Sequence, residues 1–289
     1  MTSLAKIDES STTTDIFRQA LTEKVENHSL DLPLLPEVAR ETLAMARDET
    51  SDASALAKLI YRDQSLAAHL LQIANSAAYL GSNKIVSLQQ AVARLGFRVI
   101  SEITLAMVVK AQLFNVKGQE KTLAYLWQHA LASGAWSREI ARTLRYNVES
   151  AFLCGLLHEI GKPVALQAII DIGAQNDITP THEDFMILMD EFHIPVGVML
   201  ATEWKLPEPV IESIAHYQSY DLATSFAKEA MIVHCSDAFT TTMIRDLEMD
   251  EEYLRNLPAI AELNLYPDDV TALIEKQALI KQTIEALSL

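Results

Sequence analysis

An apolar run that ends in a histidine and a carboxylate constrains the fold of this chain more than any other segment. Residues 151–157 are Ala-Phe-Leu-Cys-Gly-Leu-Leu, and His158 and Glu159 follow directly. The run predicts a buried helix, and Gly161 with Pro163 predicts its end. A buried imidazole and carboxylate are costly unless both find partners. The sequence therefore predicts a metal ion or a closed hydrogen-bond network here.

Helical periodicity extends through nearly all of the remaining sequence. Apolar residues recur three or four positions apart, as in Phe17, Leu21 and Val25, which is the pattern of an amphipathic helix. We find no β-hairpin signal and predict an all-α fold. The predicted helices are 15–27, 36–47, 53–61, 64–78, 88–95, 97–114, 120–144, 150–160, 164–175, 182–192, 195–203, 208–218, 222–246, 249–256 and 267–287.

The same pattern predicts two helical parts that pack together. We expect a disordered tail over residues 1–14, which are polar and rich in Ser and Thr. An N-terminal helical subdomain is predicted over 15–114, and a second helical subdomain with the C-terminal helices over 115–289. The seam is placed at 115–119, and no linker there is long enough to separate independent domains.

Charge and composition limit the classes of partner. Lys and Arg number 23 against 39 Asp and Glu, so the formal charge is −16. Such a chain lacks the basic surface of a nucleic-acid binder, and an acidic membrane surface would repel it. Its longest apolar runs are about ten residues, too short to span a bilayer. We therefore expect a cytoplasmic protein whose partners are proteins or metal ions, with self-association into a homo-oligomer left open.

Four histidines and a carboxylate, each on or beside a different predicted helix, are the candidates for one site. They are His129, His158, His193, His216 and Asp237. Imidazole and carboxylate together suit Zn²⁺, Fe²⁺ or Mn²⁺, and a mixed set is typical of catalytic metal sites. A single histidine on a helix is more often a satisfied core or surface residue, and the spacings match no compact ligand motif.

Several further stretches form recognisable motifs. They are Leu-Pro-Leu-Leu-Pro-Glu-Val at 32–38, Ile-Tyr-Arg-Asp-Gln-Ser-Leu at 60–66, Ile-Ala-Asn-Ser-Ala at 73–77, the Ser-Leu…Leu-Gly helix at 87–96, the doublet region at 152–162, and Trp-Lys-Leu-Pro with Ala-His-Tyr at 204–207 and 215–217. Together they resemble the HDOD domain, the signalling branch of the HD metal-dependent phosphohydrolase superfamily, from residue 30 to about residue 222. The resemblance implies an HD-like multi-helix bundle with the N-terminal helical subdomain packed against it.

The resemblance implies a set of site residues. By their match to catalytic HD proteins, the metal ligands would be His129, His158, Glu159 and Asp237. Two-metal cyclic-dinucleotide phosphodiesterases add histidines that match His193 and His216, and a catalytic lysine that matches Lys162.

The chain also departs from that pattern. Glu159 replaces the usual aspartate of the doublet, Tyr217 replaces the second histidine of a pair, and Tyr125 replaces an acid. The Gly-Tyr-Pro motif of the two-metal branch is missing. A two-metal site therefore looks damaged, while a single divalent ion of Fe, Mn, Zn or Mg remains a candidate cofactor.

Two functions follow as hypotheses. The first is a signal-transduction module that has lost most of the chemistry and acts in trans through contacts with signalling proteins. The alternative is a metal-dependent phosphohydrolase in which Lys162 neutralises phosphoryl oxygens beside a metal-bound water. We expect the module rather than the enzyme, and metal content with a phosphodiesterase assay would discriminate between them.

Overall fold

Helices account for all the regular structure in the described part of the chain. The computed structural model describes residues 12–47, 53–76, 79, 84–244 and 249–288, and these contain no strand. This confirms the all-α prediction. The helices are α1 Thr13–Glu26, α2 Glu37–Arg47, α3 Ala53–Ile60, α4 Gln64–Ala74, α5 Leu88–Leu95, α6 Phe97–Leu113, α7 Glu120–Thr143, α8 Val148–Leu157, α9 Gly161–Asn176, α10 His182–Glu203, α11 Glu208–His216, α12 Ala227–Ile244, α13 Glu251–Arg255, α14 Pro258–Glu262, α15 Pro267–Ile274 and α16 Gln277–Ser288, with a 3₁₀ turn at Tyr220–Leu222.

Helix starts follow the capping residues that the sequence offers. Asp63, Ser87 and Thr181 each accept a hydrogen bond from a backbone N–H of the first turn, which satisfies a donor that the helix itself cannot. Thr12 caps α1 in the same way, so this helix begins at Thr13, inside the predicted tail. Residues 1–11 of that tail lie outside the described residues.

Two of the differences between predicted and observed helices have a clear cause in the structure. Helix α4 stops at Ala74, where the side-chain amide of the capping residue Asn75 donates to the carbonyls of Leu71 and Ile85 and its oxygen accepts from the N–H of Ile85. Helix α10 runs unbroken through Pro195, where we predicted two helices. The buried stripe of Phe192, Val196 and Leu200 continues past the proline, and its burial outweighs one missing backbone hydrogen bond. The predicted ends at 78 and 246 fall outside the described residues.

Near the C-terminus, the prediction of one helix over 267–287 is wrong. The structure has α15 and α16 there, and Lys276 lies in the break between them, with its Nζ 2.8 Å from Oε2 of buried Glu139 in α7. A cation that must reach a buried carboxylate favours a local bend over a straight helix. Helix α14 was missed, because five residues are too few to display a helical period.

Close backbone contacts on both sides of residues 158 and 159 fix where α8 and α9 lie. A Cβ on Gly155 would overlap the Ser137 hydroxyl and the Ser133 carbonyl of α7. A Cβ on Gly161 would overlap the His193 carbonyl of α10. Only glycine permits both approaches. The α8–α9 junction is therefore pressed between α7 and α10, with α12 packed against both α7 and α8.

The N-terminal helices meet the rest of the chain in two ways. Helix α6 packs on α8, and its Glu102 pairs with Arg138 of α7 at 3.6 Å. The N-terminal helices therefore contact α7, the helix that carries His129. Helix α1 instead packs against α9 and α10, where Arg18 Nε donates to Glu191 at 2.8 Å. The first helix of the predicted N-terminal subdomain therefore contacts the second; the boundary at 114 stays a prediction.

Two helical segments are long and apolar enough to cross a membrane by length and composition alone. They are Val148–Asn176, which comprises α8 and α9, and His182–Glu203, which is α10. In the folded chain 67% and 50% of their most apolar windows are buried against other parts of the protein. Core helices of soluble proteins give the same signal.

Replacing Leu157 by alanine should lower the free energy of unfolding by about 2–5 kcal/mol, because its side chain is 1% exposed at the end of α8 and would leave a cavity. Leu222→Ala is the matched control, since Leu222 is 63% exposed, and it should change stability by less than about 0.5 kcal/mol. Urea denaturation of both variants measures the difference. Equal effects would show that α8 is not a core helix.

Candidate metal centre

Four side chains from three parts of the fold converge on one point. His129 lies on α7, His158 and Glu159 follow α8, and Asp237 lies on α12. One ligand atom from each lies within 4.8 Å of the other three. The predicted convergence of these residues is confirmed, although the identity of any bound ion is not.

His129 faces a carboxylate on each side of its ring. Its Nδ1 is 3.4 Å from Glu159 Oε2, and its Nε2 is 3.3 Å from Asp237 Oδ1. The side chain is buried, yet within the described part of the chain Nδ1 has no partner with hydrogen-bond geometry. An imidazole buried between two carboxylates, with one ring nitrogen that makes no hydrogen bond, fits coordination to a cation.

His158 is completely buried, and its tautomer is fixed by the backbone. Its Nδ1 donates to the carbonyl of Gly155 at 2.8 Å, one turn back in α8. The other nitrogen, Nε2, therefore faces Asp237 Oδ1, at 3.4 Å. A backbone carbonyl that holds one ring N–H and turns the other nitrogen inward is the usual support of a metal-binding histidine.

Glu159 is shared between the cluster and a lysine. One carboxylate oxygen faces His129, and the other accepts a short hydrogen bond from Nζ of Lys162, one turn further along the chain. Lys162, the predicted catalytic residue, is thus paired with Glu159, and its ammonium partly neutralises that carboxylate. The catalytic role of Lys162 stays a prediction.

Burial and charge together set the protonation of the cluster. Burial raises the pKa of Glu159, but His129, His158 and Lys162 outweigh it and hold this pKa at about 2. Burial also raises the pKa of Asp237, but the hydrogen bond from His158 and the charges of His158 and His129 outweigh burial and bring this pKa below its ordinary value. Both carboxylates are therefore ionised at neutral pH, as metal ligands must be.

The pKa values of His129 and His158 shift in opposite directions. Burial lowers the pKa of His129 despite its two acidic neighbours. Burial acts in the same sense on His158, but its hydrogen bond to Asp237 and the charge of Glu159 raise its pKa above the ordinary value. Without a bound ion, the raised pKa of His158 favours a protonated imidazole, which together with Lys162 would offset the charge of the two carboxylates. A cation that enters competes with that proton.

The spacing of three of the four side chains fits the ligands of a single ion. Two atoms that each lie about 2.1 Å from a tetrahedral ion are about 3.4 Å apart. The Nε2 atoms of His129 and His158 lie 3.3 and 3.4 Å from the same oxygen, Asp237 Oδ1. Glu159 Oε2 lies 3.4 Å from the other nitrogen of His129, Nδ1, so Glu159 must turn towards Nε2 to complete the set. Two nitrogens and two oxygens suit Fe²⁺, Mn²⁺ or Zn²⁺ better than Mg²⁺, which prefers oxygen ligands alone.

His193 is separated from the cluster by Tyr217. The Nδ1 of His193 donates to the Asp190 carbonyl at 2.7 Å, so its Nε2 accepts the Tyr217 hydroxyl, at 2.9 Å. The edge of the Tyr217 ring packs on His158, with ring centroids 4.7 Å apart. Burial raises the pKa of Tyr217 far above its usual range, so the phenol stays neutral.

His216 has no described contact with the cluster. It ends α11, with its Nε2 3.9 Å from Oε2 of Glu212. The group of potential ligands includes neither His193 nor His216, so the structure unites four of the six predicted ligands. A metal-binding role for any of the six stays a prediction. Tyr125 is 47% exposed and lies beside His129, on the outer side of the site.

Sequence reasoning missed the backbone carbonyls that orient the histidines. Gly155 precedes His158 by three residues, and Asp190 precedes His193 by three. This spacing is a usable signal, because on a helix the carbonyl of residue i−3 lies within reach of a side chain. It also missed Gln218, whose amide donates to the Tyr217 hydroxyl at 3.1 Å.

A family model described as the HDOD domain matches residues 32–220 of this chain. An uncharacterized protein of Treponema pallidum (strain Nichols) is 27% identical over 232 residues, which are 77% of this chain; the chain spans 44% of the length of that relative.

Among solved structures, a provisionally assigned metal-dependent phosphohydrolase from Shewanella amazonensis SB2B is 19% identical, with a TM-score of 0.73 over 93% of this chain and 99% of the other. A provisionally assigned signal transduction protein from Marinobacter aquaeolei VT8 is 18% identical, with a TM-score of 0.70 over 98% of this chain and 68% of the other. At these identities the likeness shows the fold alone.

Divalent-metal binding near neutral pH should release protons. The hydrogen bond to Asp237 and the charge of Glu159 raise the pKa of His158 above its ordinary value in the absence of an ion, and its Nε2 must be free of a proton to become a ligand. The apparent affinity should therefore fall as the pH drops below neutrality. Calorimetric titration of Mn²⁺ in HEPES and in PIPES, whose ionisation enthalpies differ, measures the release. Identical heats in both buffers would contradict this protonation state.

Proposed function

The chain belongs to the HDOD domain family, and on that premise we propose that it is a regulatory module that holds one divalent ion and acts through contacts with other proteins. One observation carries this proposal. The hydroxyl of Tyr217 donates to Nε2 of His193 and occupies the lone pair that a second ion would need. The four-residue cluster remains intact beside it.

A second ion is disfavoured by the chemistry of this pair. Tyr217 is buried and keeps its proton, and a neutral phenol is a poor ligand for a divalent cation. The hydrogen bond to His193 also holds the tyrosine ring against His158. A two-metal displacement stabilises both the attacking and the leaving oxygen. With one ion, one of those two stabilising contacts is lost.

The residues that would hold one ion also connect distant helices. His129 belongs to α7, His158 and Glu159 to the α8–α9 junction, and Asp237 to α12. Ligation by all four would tie these elements together, because metal binding contributes directly to the stability of the fold that creates the site. When bound, a divalent ion also supplies Lewis acidity and lowers the pKa of a coordinated water.

The second candidate function is a metal-dependent phosphohydrolase. Two features favour this enzyme: the four-residue cluster is present, and Lys162 lies beside it. The Asp237 side chain is also 33% exposed, so a substrate could reach the cluster. One feature argues against the enzyme. The Lys162 ammonium donates a hydrogen bond to Glu159, so it points at a protein carboxylate and not at a substrate phosphate. The name of the Shewanella amazonensis protein is consistent with this candidate, but the likeness is one of fold.

Cytoplasmic location and signalling partners are part of the proposal. The formal charge of −16 supports partners that are proteins or cations. The Marinobacter aquaeolei protein, named for signal transduction, supports a role in signalling. A partner would act in trans, and association of two copies is an alternative to a distinct partner.

Metal content tests the proposal directly. Protein purified without chelator and loaded with Mn²⁺ should hold one ion per chain, because four ligands converge on one point. His158→Ala should lose the ion, whereas His193→Ala should keep it. His182→Ala, an exposed histidine at the start of α10, is the control. Two ions per chain in the native protein, or loss of metal in His193→Ala, would contradict the one-ion site.

Lys162→Met separates the two candidate functions. Removing a cation that pairs with Glu159 frees a carboxylate oxygen and should strengthen Mn²⁺ binding by about tenfold. For the module, cleavage of a cyclic dinucleotide stays at background in both proteins. For an enzyme, native turnover is measurable and Lys162→Met abolishes it. Lys121→Met, at an exposed position of α7, is the matched control. If the native protein turns over the cyclic dinucleotide faster than His158→Ala does, the chain is an enzyme and the proposal of a regulatory module is wrong.

A further inference from the structure

A cavity of about 340 Å³ lies between the N-terminal helices and the rest of the chain, away from the metal cluster. Helices α2 and α6 form one side of it, and the N-terminal half of α8 with the first turn of α11 forms the other. Its walls are mainly apolar and include Leu43, Leu105, Leu153, Pro209 and Val210. This volume is typical of sites for small organic ligands.

A buried carboxylate lines this cavity. Glu102 of α6 is 7% exposed. Its ion-pair partner within the described residues is Arg138, whose Nη1 lies 3.6 Å from Oε2, too far for a good hydrogen bond. Burial therefore prevails over this pairing and raises the pKa of Glu102 to about 7. An incompletely compensated acid in an apolar cavity is costly, and a second positive partner would relieve that cost.

The entrance to the cavity is crossed by an exposed ion pair. Arg98 Nη1 of α6 lies 2.6 Å from Oε1 of Glu149 on α8, and the two side chains are 74% and 36% exposed. Exposed pairs of this kind contribute little free energy, so they open readily. Asn147 and Ser150 line the cavity on the same side as Glu149. Separation of this exposed pair would widen the entrance for a ligand.

From this geometry we propose that the cavity binds a small organic cation, a primary ammonium or amidinium attached to an apolar body. The charged end would hydrogen-bond to Glu102, and the body would lie against Leu105, Leu153 and Val210. An anion would be repelled by the carboxylate of Glu102, whereas the charge of Glu149 is already offset by Arg98. A neutral analogue would fill the cavity but would not supply the positive charge that Glu102 lacks.

This proposal goes beyond the proposed function and does not depend on it. The cavity is lined by the N-terminal half of α8, and the predicted ligands His158 and Glu159 follow its last turn. The nearest cavity residue on this helix, Leu153, precedes His158 by five residues, about 7.5 Å along the helix axis. The cavity is therefore a second site on the helix that leads to the metal cluster.

A matched set of three probes tests the chemistry: 4-phenylbutylamine, 4-phenylbutan-1-ol and 4-phenylbutyrate, titrated by calorimetry into the full chain. The amine should bind at least about tenfold more tightly than the alcohol or the acid. Glu102→Gln, which keeps the shape and removes the charge, should abolish that preference. Glu203→Gln, an exposed glutamate of α10 outside the cavity, should retain it.

Leu153→Trp provides a second variant that leaves Glu102 unchanged. It fills the cavity and should remove binding of the amine, with circular dichroism as the check on folding. Three results would overturn the proposal: equal affinity for the three probes, unchanged amine binding in folded Glu102→Gln or Leu153→Trp, or no binding of the amine up to about 10 mM.

Discussion

The fold depends on how two ionised carboxylates are accommodated between α7, α8 and α12. Glu159 and Asp237 stay charged because two imidazoles and one ammonium surround them. Glu159 is the more deeply buried of the two, and a buried charge without such partners would cost several kcal/mol, on the order of the whole stability of a domain. The glycine contacts that press the α8–α9 junction against α7 and α10 supply the necessary proximity. Packing and electrostatics therefore specify the same arrangement.

Tyr217 gives this arrangement its particular character. Its ring packs on His158 and its hydroxyl holds His193, so the tyrosine closes one side of the cluster with neutral groups. On our account, a site of this shape suits reversible binding of one ion better than two-metal chemistry. Ligation would then stiffen the junction between helices, and the organic-cation cavity at the N-terminal half of α8 would act on the same element.

The fold class and the four converging residues could be predicted from the sequence, because helical periodicity and the HDOD resemblance are both local patterns. The continuity of α10 through Pro195 could not, since it depends on tertiary burial that outweighs a local breaker. The pairing of Lys276 with Glu139 joins residues 137 positions apart and leaves no local signal. The placement of Tyr217 between His158 and His193 was missed for the same reason. The sequence shows that a tyrosine replaces the usual histidine, but it does not show that the tyrosine hydroxyl binds His193.

The most direct test of the central claim is an anomalous difference map from crystals of the native protein equilibrated with Mn²⁺. The account predicts one peak per chain, within about 2.0–2.3 Å of ligand atoms from His129, His158, Glu159 and Asp237. His193 should still accept its hydrogen bond from Tyr217. A pair of peaks with His193 as a ligand, or no peak between the two imidazoles, would contradict it.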